Sequence, residues 1–508
     1  MKKTMQKAVL TALFPIALCS CWNDFGTQTE EKKIPRISIL LSAQSGSPMT
    51  GERAEEVRSA IENYTQTDVQ FYFLSYDNYS RRLAEVLKNP ADLPMIIQAE
   101  KLDYNVAEAV KNGAFWNLQD FIWDEKKYPN LSKMKKEVAK TLVLDSSLIG
   151  VYRAQDLGRY GFAYRKDWAD KLGLSEPKTE EDVYNMLYAF TYGDPDGNGR
   201  KDTFGLSMCR DTTTLDIIQT WFGSGNGWIE LSNSLVPVHQ TQEYIQALDW
   251  LRKLHQDRLI ISDWQNRTQS TWKNQIIDGF AGVYVGDMES ARRISDQFVA
   301  KNVQSVTDSS QKASLKLVGA INGKTKAATG YDGFLAITHT ARNRAQVEDC
   351  LHFLDKMNDS EMMILAEYGL KDFNYKVDGA ILTDIDIGNP EIARCYNSLS
   401  GAVSSIPNLL RDIEPHVKIS DSTAEEYRVV TQNADFAVLN PAVAYLASSK
   451  TYEEKHAELD KIIEDARIQY IIGEISRDTL NAELNRWYER GGKEVIAEVN
   501  SLYKTRLR

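Results

Sequence analysis

The sequence predicts an α/β protein built as two lobes on one chain. Three observations carry this. At 508 residues the chain exceeds what one hydrophobic core serves. Short apolar runs alternate with amphipathic stretches from Arg36 to Asn112. After about residue 150 the periodicities lengthen into helices. Hydrophobic residues at 43% and charged residues at 26% match a folded soluble body, so collagen-like and bulk-disordered classes drop out.

In chain order, residues 36–41 read as strand, 52–64 as helix, 69–74 as strand, 79–88 as helix, 93–97 as strand and 104–112 as helix. Such alternation builds a parallel sheet covered by helices. Ligands of open α/β sheets lie beyond the carboxyl ends of the strands, so loops 42–50, 75–78 and 98–103 should border a cleft. Gln44 and Glu100, following the first and third strands, are candidate hydroxyl-binding groups or helix caps. Further on, Thr179 with Asp182 three residues later marks a helix start, and Val183, Met186, Leu187 and Phe190 form its apolar stripe. Segments 281–285, 315–318 and 334–337 are further strands, and 344–357 is a helix that would return to the first sheet. Leu459, Ile462, Ile463 and Ala466 share one helical face, Gly473 is placed as a C-cap, and Gly491-Gly492 separates two more helical stretches.

The first twenty residues read as a secretory signal. Lys2, Lys3 and Lys7 precede an apolar run from Ala8 to Leu18 that is too short to span a bilayer. Leu18-Cys19-Ser20-Cys21 resembles the lipobox of bacterial lipoproteins, with Cys21 the residue to be lipidated. The diacylglycerol added there would hold the protein on the membrane, with Trp22 to Pro35 as a polar tether. Residues 1–20 carry three lysines and no acid, so their removal takes the formal charge from −11 to −14. An acidic chain disfavours nucleic acid as partner. Beyond Cys21 only Cys209, Cys350 and Cys395 remain, too few for a disulfide framework.

One stretch is chemically sharp. Asp194, Asp196, Asn198 and Asp202 occupy positions one, three, five and nine of a loop with Gly199 at the tight-turn position six, as in an EF-hand. Arg200, at seven, would offer its backbone carbonyl, and Gly205 stands at twelve where an EF-hand has glutamate. A structural Ca²⁺ is the expectation, because the loop brings no general base or nucleophile beside it.

Residues 160–174, running Tyr-Gly-Phe-Ala-Tyr-Arg-Lys-Asp-Trp through Lys171-Leu172-Gly173-Leu174, then Pro177, Thr179 and the loop 194–206, carry a resemblance. Together they resemble the family 1 extracellular solute-binding proteins of ABC importers, in their long lipoprotein branch of Gram-positive bacteria. Gly113–Leu118, Gly286-Asp287-Met288, Gly333–Ile337 and Trp487 with Gly491-Gly492 also occupy familiar places. The resemblance implies a periplasmic-binding-protein-like fold: two α/β lobes, a multi-strand hinge and a ligand cleft between them. It further implies an extracytoplasmic protein that captures a carbohydrate, often an oligosaccharide, and hands it to permease subunits without catalysis; a monomer is expected. Members that bind acidic alginate oligosaccharides carry a similar calcium loop with an acid after its last Asp, where this chain has Thr203. The expected organisation is signal 1–20, tether 21–35, first lobe 36–150, second lobe 151–325, return and hinge 326–400, and a helical part 401–508 shared between lobes.

A sugar cleft needs flat aromatic faces and planar hydrogen-bonding groups. Trp221 and Trp228 flank a Gly-rich loop and are the stacking candidates, although Trp221 also fits a core face begun by Leu215 and Ile218. Asp287 and Tyr331 sit at strand ends. An acidic sugar would need local cations, for which Arg153, Arg210 and Arg292 are candidates. Six scattered histidines give no metalloprotease motif, and neither a nucleophile elbow nor a P-loop occurs. The alternatives are a secreted glycoside-active enzyme, needing only two of the chain's 71 acids, or a polysaccharide-binding surface protein without transport.

Overall fold

Ile96–Ala99 is buried along its whole length, and it forms the middle of a five-stranded sheet. The computed structural model describes residues 34–43, 53–211, 213–268, 271–378, 381–384, 406 and 420–506, and the elements below belong to the unit Pro35–Arg508. In space the strands run Asp68–Ser75, Arg36–Ala43, Ile96–Ala99, Tyr331–Ile337 and Val151–Ala154. The first three are parallel, in register from Arg36 opposite Asp68 to Ala43 opposite Ser75. Tyr331–Ile337 runs against both of its neighbours. The strand expected at 93–97 is displaced, because Pro94 has no amide hydrogen and the Met95 N–H donates to Ser38 Oγ at 3.0 Å.

A second sheet orders Leu315–Gly319, Tyr160–Arg165, Ala281–Asp287 and Phe204–Leu206. Tyr160–Arg165 is antiparallel to both neighbours and buried after its first residue, so it lacks the alternation that marks a half-exposed strand. Gly161 allows the close approach to Leu315–Gly319: a Cβ there would lie 2.6 Å from the Gly319 Cα. Where this strand ends, Arg165 donates from Nε and Nη2 to Asp167 at 2.8 and 2.7 Å, with both side chains buried. The guanidinium lies 4.9 Å from the ring centroids of Trp168 and Phe298, and the Val306 N–H also donates to Asp167. The conspicuous Tyr-Arg-Lys-Asp-Trp run is therefore a folding device.

Helix Glu180–Tyr192 begins with the capping box expected of Thr179 and Asp182. Helix Arg344–Lys356 buries Val347, Cys350, Leu351, Phe353 and Leu354 in the core of the first sheet. The second sheet has cores on both faces, one including Phe162, Phe190 and Trp264, the other Tyr284, Phe298 and Leu317. C-terminal helices Lys450–Ile471, Arg477–Trp487 and Lys493–Arg506 contribute to the former and to a further core with Leu235. Among the described residues no helix is long and apolar enough to cross a membrane.

The chain passes between the two sheets at 155–159, at 320–330 and again at 434–442, where Ala437–Val438 pairs with Thr325–Lys326. Two asparagines stitch these passages. Buried Asn433 donates to the Gly158 and Tyr160 carbonyls at 3.1 and 3.2 Å and accepts from the Ala320 N–H at 3.0 Å. Asn226 donates to the carbonyls of Ala327 and Val438 at 3.2 and 3.0 Å. Gly319, at φ +89°, leaves room for Asn433, whose Oδ1 would sit 2.1 Å from a Cβ.

Candidate functional site

All three passages line one cavity of about 250 Å³, bordered by Gln155, Tyr160, Asn226, Lys326, Tyr331 and Asn440. A second cavity of about 170 Å³ lies at the carboxyl end of Ala281–Asp287, among Arg159, Asp211, Trp272, Lys273 and Asp287. Tyr160 borders both, its ring facing the Lys326 ammonium 5.5 Å from the centroid and the Arg159 guanidinium at 5.8 Å. The second cavity is backed by Trp272 stacked on Tyr284, with centroids 5.1 Å apart and planes 5° from parallel. Aromatic rings beside amides, hydroxyls and a few charges are the chemistry that binds polyhydroxylated molecules.

Of the residues singled out from sequence, Tyr331 lines the first cavity and Asp287 the second. Burial pushes the Tyr331 phenol up to about 12, so it remains a hydroxyl at neutral pH. Asp287 caps the helix Met288–Ala300 by accepting from the Ser290 N–H at 2.8 Å, and it also accepts from the Tyr284 hydroxyl at 3.2 Å. Glu100 is half-buried and accepts from Ser80 and Ser42 at 3.2 and 3.4 Å. Gln44 and Cys21 lie outside the described residues.

The two stacking candidates are corrected. Trp221 is 3% exposed, packed edge-on to Phe162 and Trp250 at 6.2 Å, and completes the core face begun by Leu215 and Ile218. Trp228 is 7% exposed in the core that also contains Leu235 and Trp487. The Gly-rich loop between them turns the chain so that both rings go inward. Two of the arginines are spent on ion pairs. Arg210 binds Glu464 and Asp465 at 3.1 and 2.6 Å, and Arg292 binds Glu426 and Asp296, each at 2.6 Å. The charge of Arg153 opposes the strong upward push of burial on the Tyr79 phenol.

Sequence reading did not find Lys326, Asn226 or Trp272. Lys326 lies in a short polar stretch between two strands, where only the topology reveals a passage between sheets. There Asp216, on the helix Thr213–Trp221, accepts from Lys326 Nζ at 3.1 Å and from Arg467 Nη1 at 2.9 Å. Burial would raise the Asp216 carboxyl, but these two cations outweigh it and hold it below the ordinary range.

In the loop 194–202, Asn198 Nδ2 donates to Asp196 at 2.6 Å and to both Asp202 oxygens at 3.2 and 3.3 Å. The Gly199 N–H meets the Asp194 carboxylate at 3.2 and 3.3 Å, and the Arg200 N–H donates to Asn198 Oδ1 at 2.7 Å. Burial, and then the nearby charges of Asp194 and Asp202, raise the Asp196 carboxyl. The amide nitrogen thus sits between the carboxylates of Asp196 and Asp202, and rotating the amide would aim its oxygen there instead. Thr203 is turned away, its hydroxyl donating to the Phe190 carbonyl at 2.9 Å. Among the described residues no group of three or more His, Cys, Asp or Glu is already arranged around a metal position.

No family model matches the chain. Lipoprotein LipO of Bacillus subtilis is 30% identical over 521 aligned residues, covering 99% of this chain and all of that protein. The polygalacturonan/rhamnogalacturonan-binding protein YtcQ of Bacillus subtilis is 29% identical over 87% of each chain. Among solved structures, an HMO binding, ABC-transporter associated solute binding protein of Bifidobacterium longum infantis superposes with a TM-score of 0.63 at 17% identity. That superposition covers 93% of this chain and 99% of that one. The EF-hand mutant of the Streptococcus pneumoniae ABC-transporter substrate binding protein FusA, in complex with fructo-nystose, gives 0.55 at 18% identity over 93% and 99%.

Proposed function

The chain belongs to the family 1 extracellular solute-binding proteins of ABC importers, and on that premise we propose that it captures an oligosaccharide and delivers it to an importer's permease. The two sheets are then the cores of two lobes, and the three passages stitched by Asn226 and Asn433 are the hinge. What carries the reading is the pair of cavities meeting at Tyr160, the residue from which both can be reached. Tyr160 stacks on a sugar ring, while Asn440, Gln155, Tyr331, Asp287 and Glu100 supply hydrogen bonds to hydroxyls. A hinge that rotates the lobes together excludes water from these contacts and strengthens them.

The name of a relative as a lipoprotein supports an extracytoplasmic, membrane-held protein, and Cys21 is the residue that would carry the lipid. The loop 194–202 would hold Ca²⁺ through Asp194, Asp196, Asn198 and Asp202 and the Arg200 carbonyl. The ion would fix the loop that follows the helix Glu180–Tyr192, and the EF-hand named in a FusA structure supports this. No catalytic step is assigned: the relatives are named as binding proteins. The test is calorimetry of the mature chain against a glycan panel, with scattering on the same samples. One glycan should bind one-to-one, be recovered intact and reduce the radius of gyration. Shortened sugars after incubation, or binding without compaction, would overturn the reading.

A further inference from the structure

Lys326 stands on the short strand Thr325–Lys326 of the second passage, and its side chain, 19% exposed, serves two neighbours at once. Its ammonium donates to Asp216 Oδ2 at 3.1 Å, and the residue also lines the 250 Å³ cavity. The other oxygen of Asp216 accepts from Arg467 at 2.9 Å, and the charge of Arg467 in turn faces Asp460, earlier on the same helix Lys450–Ile471. Two cations therefore meet two carboxylates, and the cluster brings no surplus charge to the cavity wall. The second cavity is matched in the same way, with Arg159 and Lys273 sharing its wall with Asp211 and Asp287.

A paired lysine is still a donor. An ammonium carries three N–H groups, and Asp216 takes one of them. The pairing also holds a long side chain in place, so less rotamer freedom is lost when a ligand arrives. What the pairing removes is the pull on a second anion: a glycan carboxylate entering this cavity would give up its water and meet a cation already neutralised by Asp216. The amides and hydroxyl of Gln155, Asn226, Asn440 and Tyr331 on the same wall suit sugar hydroxyls. We infer that Asp216 is a specificity-determining residue: it positions the Lys326 ammonium as a hydrogen-bond donor to a sugar hydroxyl and cancels its charge, so that the unit held in this cavity is a neutral sugar. The inference rests on the carbohydrate-binding reading above and narrows it. Tyr160, whose ring centroid lies 5.5 Å from the same ammonium, borders the cavity where that sugar would present its apolar face.

The test is titration calorimetry of the mature chain with two matched pairs, galactotriose against trigalacturonate and xylotriose against glucuronosyl-xylotriose, in low and high salt. Should neither pair bind, the neutral glycan selected by the wider panel is compared with its C6-oxidised, carboxylate-bearing form. A neutral member should bind about tenfold or more tightly than its acidic partner, and salt should leave its affinity within about twofold. Asp216→Asn frees the ammonium, so the neutral-to-acidic ratio should fall about tenfold or more in low salt, with the fall shrinking as salt rises. Lys326→Met should weaken neutral binding about fivefold or more, and adding it to Asp216→Asn should remove the gain for the acid. If one variant does not fold, the other and the wild-type ratio decide. An unchanged ratio in folded Asp216→Asn, or neutral binding within about twofold of wild type in folded Lys326→Met, overturns the assignment, because a purely structural pair would alter stability and leave selectivity alone. If acidic glycans bind the wild type more tightly than neutral ones, the neutral subsite falls and carbohydrate capture stands; if no glycan in the panel binds, capture itself falls.

Discussion

Replacing Asn433 separates a packing role from a hinge-stitching one. Its amide donates to two carbonyls of the first passage and accepts one amide hydrogen of the second, from a side chain that is 3% exposed. Asn433→Ala strands three buried backbone groups. At roughly 1–3 kcal/mol for each orphaned group, reduced where water enters the space left behind, the expected loss is about 2–4 kcal/mol. Asn433→Asp should be worse, although it is nearly isosteric. The carboxylate keeps the Ala320 contact but sets a negative oxygen against the Gly158 and Tyr160 carbonyls, where a donor stood. Urea unfolding at pH 7 should therefore rank wild type above Ala and Ala above Asp. The Asp variant should recover part of its deficit near pH 4, where a protonated acid can donate again. An Asp variant as stable as wild type, or one indifferent to acid, would refute the stitching.

Chelation should lower the melting temperature, by an amount equivalent to about 2.7 kcal/mol for a site previously filled at a hundred times its dissociation constant, and Asp196→Ala should abolish the difference between chelated and calcium-loaded protein. His239 is held at about 3 by burial and then by the charge of Arg467, against an ordinary 6.5. Its neutral ring therefore contributes stability that is complete above pH 6.5 and falls away as pH drops toward 3, by up to about 1.4 kcal/mol per pH unit. His239→Gln should flatten that limb in a pH series of denaturation midpoints, and an unchanged slope would count against it. In ligand titrations Tyr160→Ala should weaken binding about tenfold or more, whereas Trp228→Phe should leave it within about twofold; the reverse order would restore the tryptophan as the platform.

The first sheet was legible because its strands and helices alternate at short range: strands at 36–41 and 69–74 and helices at 79–88 and 104–112 all appear within a few residues. Strand Tyr160–Arg165 escaped notice because full burial removes the period-two pattern. Caps fared well for a local reason, since Thr179 and Asp182 satisfy each other within four residues. The site was harder. Trp221 and Trp228 looked like ligand platforms from their glycine-rich surroundings, yet glycines also let a loop fold its aromatics inward. Lys326, Asp216 and Arg467 are separated by up to 251 residues, and only the folded topology brings their charges together.

The cores on the two sheets are not built from continuous stretches of chain. Ile97 cannot find Ala336 until well over half of the polypeptide exists, and the strand Val151–Ala154 must wait for the same late partner. Pairings so distant in sequence form slowly, which keeps a nascent chain from locking into shape early. For a chain exported as proposed above, this late closure is an advantage: the first sheet stays open until about two-thirds of the chain has arrived.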